Sequence, residues 1–175
     1  MRMTELSKYI RTVNDFPKPG IGFKDITTLT KDPIGFKLSI DMMLEKLANV
    51  DVELILGIES RGFIFGAALA DRMGVGLDLI RKKGKLPGAT ASETYDLEYG
   101  TDSIEIHADS FEKGSKIVIV DDLLATGGTM AASINLVKKL GGEISCVLFL
   151  IELGFLKGRE KLSADKIISL INYAE

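Results

Sequence analysis

Between Val118 and Met130 the chain reads Val-Ile-Val-Asp-Asp-Leu-Leu-Ala-Thr-Gly-Gly-Thr-Met. An apolar, β-branched run stops at two carboxylates, and a Thr/Gly turn then opens into residues at helical spacing. Gly127 and Gly128 allow a tight turn whose backbone N–H groups face inward with no Cβ in the way. Ala131, Ile134, Val137 and Leu140 recur at helical spacing, so the turn lies at a helix N-terminus. Unsatisfied N–H groups and the positive end of the helix dipole favour a phosphate monoester there. Thr126 and Thr129 add hydroxyl donors. Asp121 and Asp122 would repel that phosphate and therefore suit the neutral hydroxyls of a ribose, directly or through a metal-bound water. The stretch asks for a phosphorylated sugar.

Two other phosphate loops are excluded by inspection. A triphosphate loop needs G-x-x-x-x-G-K-[ST], and no Lys stands in this turn; a dinucleotide fingerprint needs G-x-G-x-x-G, which Gly127-Gly128-Thr129-Met130-Ala131 breaks. A plain strand-turn-helix junction, with Asp and Thr as caps, would not require two Asp and two adjacent Gly together.

Other candidate residues lie at further strand ends. Glu59-Ser60-Arg61-Gly62 follows an apolar run, and the Arg61 fork matches phosphate oxygens, unless it forms a surface ion pair with Glu59. Arg81, Lys82, Lys83 and Lys85 could converge on a polyanion or form a solvated basic turn. Phe23 lies in a Pro/Gly loop outside any apolar stripe, where it could stack on a purine while the backbone of Gly22 and Lys24 reads the base edge; core packing is the other reading.

The elements that must position these groups alternate. Thr4 to Val13 reads as a helix, Asn14 to Gly22 as a loop, and Asp32-Pro33 starts a helix running to about Ala48, with Asp as cap and Pro in the first turn. Strand Glu53 to Ile58 leads to helix Phe63 to Met73, and strand Gly76 to Arg81 leads to a long loop. Strand Lys116 to Val120 leads to helix Thr129 to Leu140, and strand Glu143 to Ile151 follows. This predicts an α/β fold, a mostly parallel twisted sheet with flanking helices, whose ligands bind at the carboxyl ends of strands near a reversal of strand order. Ser92 to Ile106 alternates about Gly100-Thr101-Asp102 and reads as an antiparallel hairpin projecting from the sheet, approached by a loop-like Lys82 to Glu93. A polar segment of that length suits a flexible lid.

Composition limits the choices. The 175 residues, 46% hydrophobic, suit one domain burying roughly 70% of its unfolded-chain surface. A net charge of −3 and a pI of 5.3 give no basic field for nucleic acid or an anionic membrane. No apolar stretch approaches the roughly 20 residues of a membrane span, and Glu5 and Lys8 interrupt any signal-peptide core, so the cytoplasm is the expected location. Cys146, the one cysteine, lies in an apolar run and reads as a buried thiol; His107 reads as a surface strand position.

Asp121-Asp122 followed by Ala125-Thr126-Gly127-Gly128-Thr129 resembles the phosphoribosyl-diphosphate motif of the type I phosphoribosyltransferases, and Leu123-Leu124-Ala125 resembles their adenine-using branch. Four more blocks extend the resemblance over nearly the whole chain: residues 16–26, 57–63, 81–88 and 95–100. The resemblance implies one domain, with a small hood over about 1–30, a core over about 31–175 and a lid over about 82–106. It implies transfer of a phosphoribosyl group to adenine, releasing diphosphate and forming AMP. Glu59, Ser60, Arg61, Lys82 and Lys85 would bind diphosphate, and Gly22, Phe23 and Lys24 adenine. Glu98 would act as acid or base with Tyr99 covering or orienting the leaving group, and Arg61 would assist. Mg²⁺ would be held mainly by substrate, with Asp121 and Asp122 reaching it through water, and the assembly would be a homodimer. Two alternatives stand beside this: transfer to another base, or a non-catalytic sensor of phosphoribosyl diphosphate.

Overall fold

The computed structural model describes residues 5–96 and 100–174. Its centre is a seven-stranded sheet of β3 (Leu54–Ile58), β4 (Gly76–Lys82), β5 (Thr90–Asp96), β6 (Thr101–His107), β7 (Lys116–Leu124), β8 (Glu143–Leu153) and β9 (Ile167–Tyr173). They lie side by side in the order β5-β6-β4-β3-β7-β8-β9. β3 pairs in parallel with both β4 and β7, and β7, β8 and β9 continue in parallel. The chain thus leaves β3 toward β4 on one side and returns as β7 on the other. That reversal opens a crevice beyond the carboxyl ends of β3 and β7.

Helices cover both faces because the central strands are apolar on both. Val118 and Val120 pack in one buried cluster with Met43 of α2 (Pro33–Leu47) and Phe65 and Leu69 of α3 (Gly62–Met73). Ile117 and Ile119 pack in another with Ile134 and Val137 of α4 (Gly128–Lys139). Such two-sided burial explains why these strands read as continuous apolar runs. Asp32 caps α2 as its type suggested, accepting from the Ile34 and Gly35 amides at 2.9 and 2.8 Å. Cys146 is fully buried, and burial pushes its thiol up to about 11. His107 sits on β6, partly exposed, with Nε2 3.0 Å from the Pro87 carbonyl.

Four sequence expectations are corrected, and one strand escapes the sequence reading. Helical spacing over Thr4 to Val13 gives way to a 3-10 turn at Ser7–Tyr9 and then β1 (Arg11–Val13). β1 pairs antiparallel with β2 (Phe23–Asp25), ahead of the one-turn helix α1 (Thr27–Thr30). Arg11 forms an ion pair with Asp25 that holds the Asp25 carboxyl at about 2, so tertiary pairing and the β-branched Thr12-Val13 override helix propensity. For the same reason Phe23 starts a strand rather than sitting in the loop. The hairpin begins at Thr90, within the expected loop, and it extends the sheet through β6 against β4 at Arg81↔Glu105 and Lys82↔Ile104. β7 does not stop at Val120; it runs to Leu124 because β8 stays alongside, pairing Asp121 with Phe149 and Leu124 with Glu152. β9 was not read at all: it is an edge strand after two short 3-10 turns, with little periodicity to mark it.

Gly62 opens α3 hard against β7. A Cβ there would lie 2.6 Å from the Val120 carbonyl oxygen and 3.1 Å from Asp121 Oδ1, atoms that the sheet holds in place. Gly62→Ala is therefore expected to lower stability by roughly 1–3 kcal/mol in a urea melt; an unchanged midpoint would show that α3 is free to move away from β7.

Candidate functional site

The strand reversal brings the carboxyl ends of β3 and β7 together. Residues alternate faces along β7, so its two carboxylates serve different neighbours. Asp122 is 3% exposed, and Arg61 Nε lies 3.1 Å from its Oδ2. That oxygen is enclosed and makes no geometric hydrogen bond, so its contact with Arg61 is ionic. Asp121 Oδ1 accepts from the Asp122 amide at 2.8 Å, and its side chain borders two adjoining cavities. Burial, reinforced by the charge of Asp122, pushes the Asp121 carboxyl well above the usual carboxylate range, with Arg61 opposing. Burial also raises Asp122, again against Arg61.

The first cavity, about 90 Å³, is walled by Ala125, Thr126, Gly127, Gly128 and Thr129. Gly127 takes φ +82° at the N-cap of α4, and no side chain caps the helix. A left-handed backbone favours Gly there, and the uncapped first turn leaves N–H groups and the helix dipole facing the cavity. The second cavity, about 290 Å³, shares Asp121 and Thr129 with the first and extends to Glu59, Arg81, Lys82 and Tyr95.

Carboxylates hold the basic cluster. Glu59 accepts from the Lys82 amide at 3.0 Å and from Arg81 Nε at 3.2 Å, with Lys85 Nζ 3.6 Å away. Burial pushes the Glu59 carboxyl up, but the Lys82 amide, Arg81 and Lys85 outweigh it and hold it below its usual range. Glu59 thus pairs with β4 and its following turn, and Arg61 pairs with Asp122 instead of Glu59. Ser60 is exposed at the same turn, where the Glu59–Ser60 peptide is cis. Lys82 Nζ lies 3.3 Å from Asp102 Oδ2 on the hairpin.

The N-terminal segment around β1 and β2 adds an aromatic wall. The Phe23 ring lies 5.5 Å from the Arg61 guanidinium carbon, with Phe16 edge-on at 5.2 Å. Phe23 also borders a pocket of about 270 Å³ with Val13 and Phe16. Gly22 is exposed just before β2. The Lys24 ammonium is spent on Thr12 Oγ1, 3.0 Å away, and on the Tyr173 ring.

The geometry therefore gathers Glu59, Lys82, Asp121 and the 125–129 turn around adjoining cavities; Arg61 borders neither and instead lies between Asp122 and the Phe23 ring. Glu98 and Tyr99 lie outside the described residues. Two hairpin residues went unassigned in sequence. Tyr95 accepts a hydrogen bond from Thr129 Oγ1 at 3.1 Å, and Asp102 holds Lys82. They are cross-strand partners in the hairpin, so the alternation about Gly100 was the available signal. Burial raises the Tyr95 hydroxyl, with Thr129 opposing and Asp102 reinforcing.

Residues 25–170 match the family model of the phosphoribosyl transferase domain. The chain belongs to the phosphoribosyltransferase family. Within this family it is 51% identical, over 99% of its own length and 100% of the other's, to an adenine phosphoribosyltransferase of Desulfitobacterium hafniense. Among solved structures, an adenine phosphoribosyltransferase from Thermoanaerobacter pseudethanolicus superposes with a TM-score of 0.94 at 53% identity, covering 98% of this chain and 99% of that one. The Saccharomyces cerevisiae enzyme, complexed with adenine and an imino-altritol bisphosphate, gives 0.91 at 40% identity, covering 97% and 98%. The α/β fold with its mostly parallel sheet is the type I phosphoribosyltransferase fold.

Folding favours the protonated form of Asp121. Its ionisation costs the folded state nothing below the ordinary value of 3.8 and progressively more as pH rises through the raised value. Asp121→Asn keeps an oxygen for the Asp122 amide and removes that cost. The variant's advantage in Tm is expected to be small at pH 4 and to widen toward pH 8; an advantage that does not change with pH contradicts the assignment.

Proposed function

We propose that the chain transfers the 5-phosphoribosyl group of phosphoribosyl diphosphate to adenine, forming AMP and diphosphate. The observation that carries this reading is the meeting of a paired-carboxylate strand end and an uncapped helix N-terminus around adjoining cavities, in a chain similar over its full length to adenine phosphoribosyltransferases. The 125–129 turn takes the 5′-phosphate through its N–H groups and the Thr126 and Thr129 hydroxyls. Asp121 and Asp122 take the ribose hydroxyls. Arg61, Ser60 and the neighbouring backbone, with Lys82 and Lys85, take the diphosphate. Glu59 acts there by holding the cations in place, since its own charge would repel the ligand.

Phe23 stacks on adenine, and the main chain of Gly22 and Lys24 reads its edge. Breaking the bond at the anomeric carbon sends its electron pair to the departing diphosphate and leaves oxocarbenium character on the ribose. The attacking ring nitrogen then loses its proton, which Glu98 accepts, while Tyr99 covers the leaving group. Among the described residues no group of three or more His, Cys, Asp or Glu side chains could hold a metal. Asp121, whose side chain borders both cavities, and Asp122 beside it are oxygen donors that fit Mg²⁺ held by the substrate and reached through water. When bound, Mg²⁺ supplies charge neutralisation to the diphosphate.

One domain, with residues 1–30 as hood and 82–106 as lid, belongs to this reading, as do the cytoplasm and a homodimer. The exposed Ile64 and Leu77 side chains are of the kind a second copy would cover.

The decisive assay mixes the protein with phosphoribosyl diphosphate, Mg²⁺ and each nucleobase in turn. Adenine is expected to react well and hypoxanthine, guanine, xanthine and orotate poorly; equal use of another base contradicts adenine specificity, and no nucleotide with any base contradicts the enzyme. Glu98→Ala is expected to lower kcat by at least ~10²-fold with substrate KM values nearly unchanged. Unaltered turnover removes Glu98 from the chemistry.

A further inference from the structure

Residues 154–161 close the far side of the 125–129 turn, and one side chain fastens them. Glu152, near the end of β8, has a side chain 6% exposed. Arg159 Nε donates to Glu152 Oε1 at 3.0 Å, and Nη2 donates to Oε2. Its remaining N–H groups reach β9, with Nη1 donating to the Ile167 carbonyl and Nη2 to Ser169 Oγ, both at 2.9 Å. Ser169 Oγ in turn donates to Glu152. A planar guanidinium satisfied on two strands at once allows little freedom to the residue beside it.

That residue is Gly158, buried in the turn against the proposed phosphate site. A Cβ on Gly158 would overlap the Ala125 carbonyl oxygen and lie 2.9 Å from the Gly127 nitrogen, and a Cβ on Gly127 would overlap the Gly158 carbonyl oxygen. The two backbones are therefore in direct contact. Glu152 cancels the charge of Arg159, and Arg159, with Ser169 adding, outweighs burial to hold the Glu152 carboxyl below its usual range. Arg159 can thus act on the site through the Gly158 main chain rather than as an anion contact.

We propose that Arg159, clamped by Glu152 and Ser169, is a positioning residue for the 125–129 turn: it presses Gly158 against Ala125 and Gly127 and so fixes the N–H groups that receive the 5′-phosphate. The inference rests on the reading of that turn as the phosphate site. Calorimetric titration with ribose 5-phosphate, alongside KM for each substrate, tests it in the wild type, Arg159→Ala, Arg159→Lys and Ser169→Ala. Arg159→Ala is expected to weaken ribose 5-phosphate and raise KM for phosphoribosyl diphosphate about tenfold, with KM for adenine within about twofold. Arg159→Lys restores part of the loss, and Ser169→Ala, which leaves the ion pair intact, shows the same selectivity about two- to threefold if Arg159→Ala does not fold. Wild-type binding that both the Arg159→Ala and Ser169→Ala variants retain, or an equal rise in both KM values with no rescue by Lys, overturns the clamp alone. A wild type that does not bind ribose 5-phosphate overturns the phosphate-site reading and the clamp with it.

Discussion

Burying a carboxylate at the end of a central strand requires a cation nearby, and Arg61 supplies it to Asp122. Asp122 is buried while Arg61 is about a third exposed, so water screens part of the attraction. Removing Arg61 would still leave the carboxylate buried without a counter-charge, and the contact ties the turn after β3 to the end of β7. Much of the site follows from the tie. Gly62 must be small for α3 to approach Val120, and the alternation of β7 then turns Asp121 toward the opposite face, where Thr129 and the hairpin lie. Two adjacent carboxylates thus take different neighbours: Asp122 pairs with Arg61 and Asp121 borders the two cavities.

The same electrostatic logic extends outward. Glu59 gathers Arg81, Lys85 and the Lys82 amide, and Asp102 holds the Lys82 ammonium. A polyanionic ligand entering the larger cavity would exchange carboxylate partners for phosphate oxygens instead of assembling free lysines, which lowers the cost of ordering them. The hairpin takes part in the exchange: Asp102 faces Lys82, and Tyr95 touches Thr129 at the start of α4. Hairpin position and the geometry of the 125–129 turn are thereby linked through side chains, independently of the backbone contact that Gly158 makes from the other side.

Local chemistry made much of this legible in sequence. The apolar runs of β3, β7 and β8 report burial on both faces, the Asp32-Pro33 start of α2 carries its own cap, and Asp121 to Thr129 combine residue types that few other loops need. What escaped depended on partners distant in the chain. Helical spacing over 4–13 could not reveal that Asp25 would draw Arg11 into a strand, nor could Asp121-Asp122 reveal that β8 would carry β7 onward to Leu124. β9 and the Glu152–Arg159–Ser169 network join segments whose relation appears only when β8 and β9 lie side by side. The pairing of Arg61 with Asp122, in place of its neighbour Glu59, is likewise set by strand order.

The central claim is that the strand-end carboxylates and the uncapped α4 N-terminus together bind a ribose 5-phosphate group. A crystal structure of the AMP complex tests it most directly. The phosphate is expected within hydrogen-bond distance of the backbone N–H groups of residues 126–129, with the ribose hydroxyls facing Asp121 and Asp122. A phosphate bound away from that turn, or ribose hydroxyls directed away from both carboxylates, would contradict it.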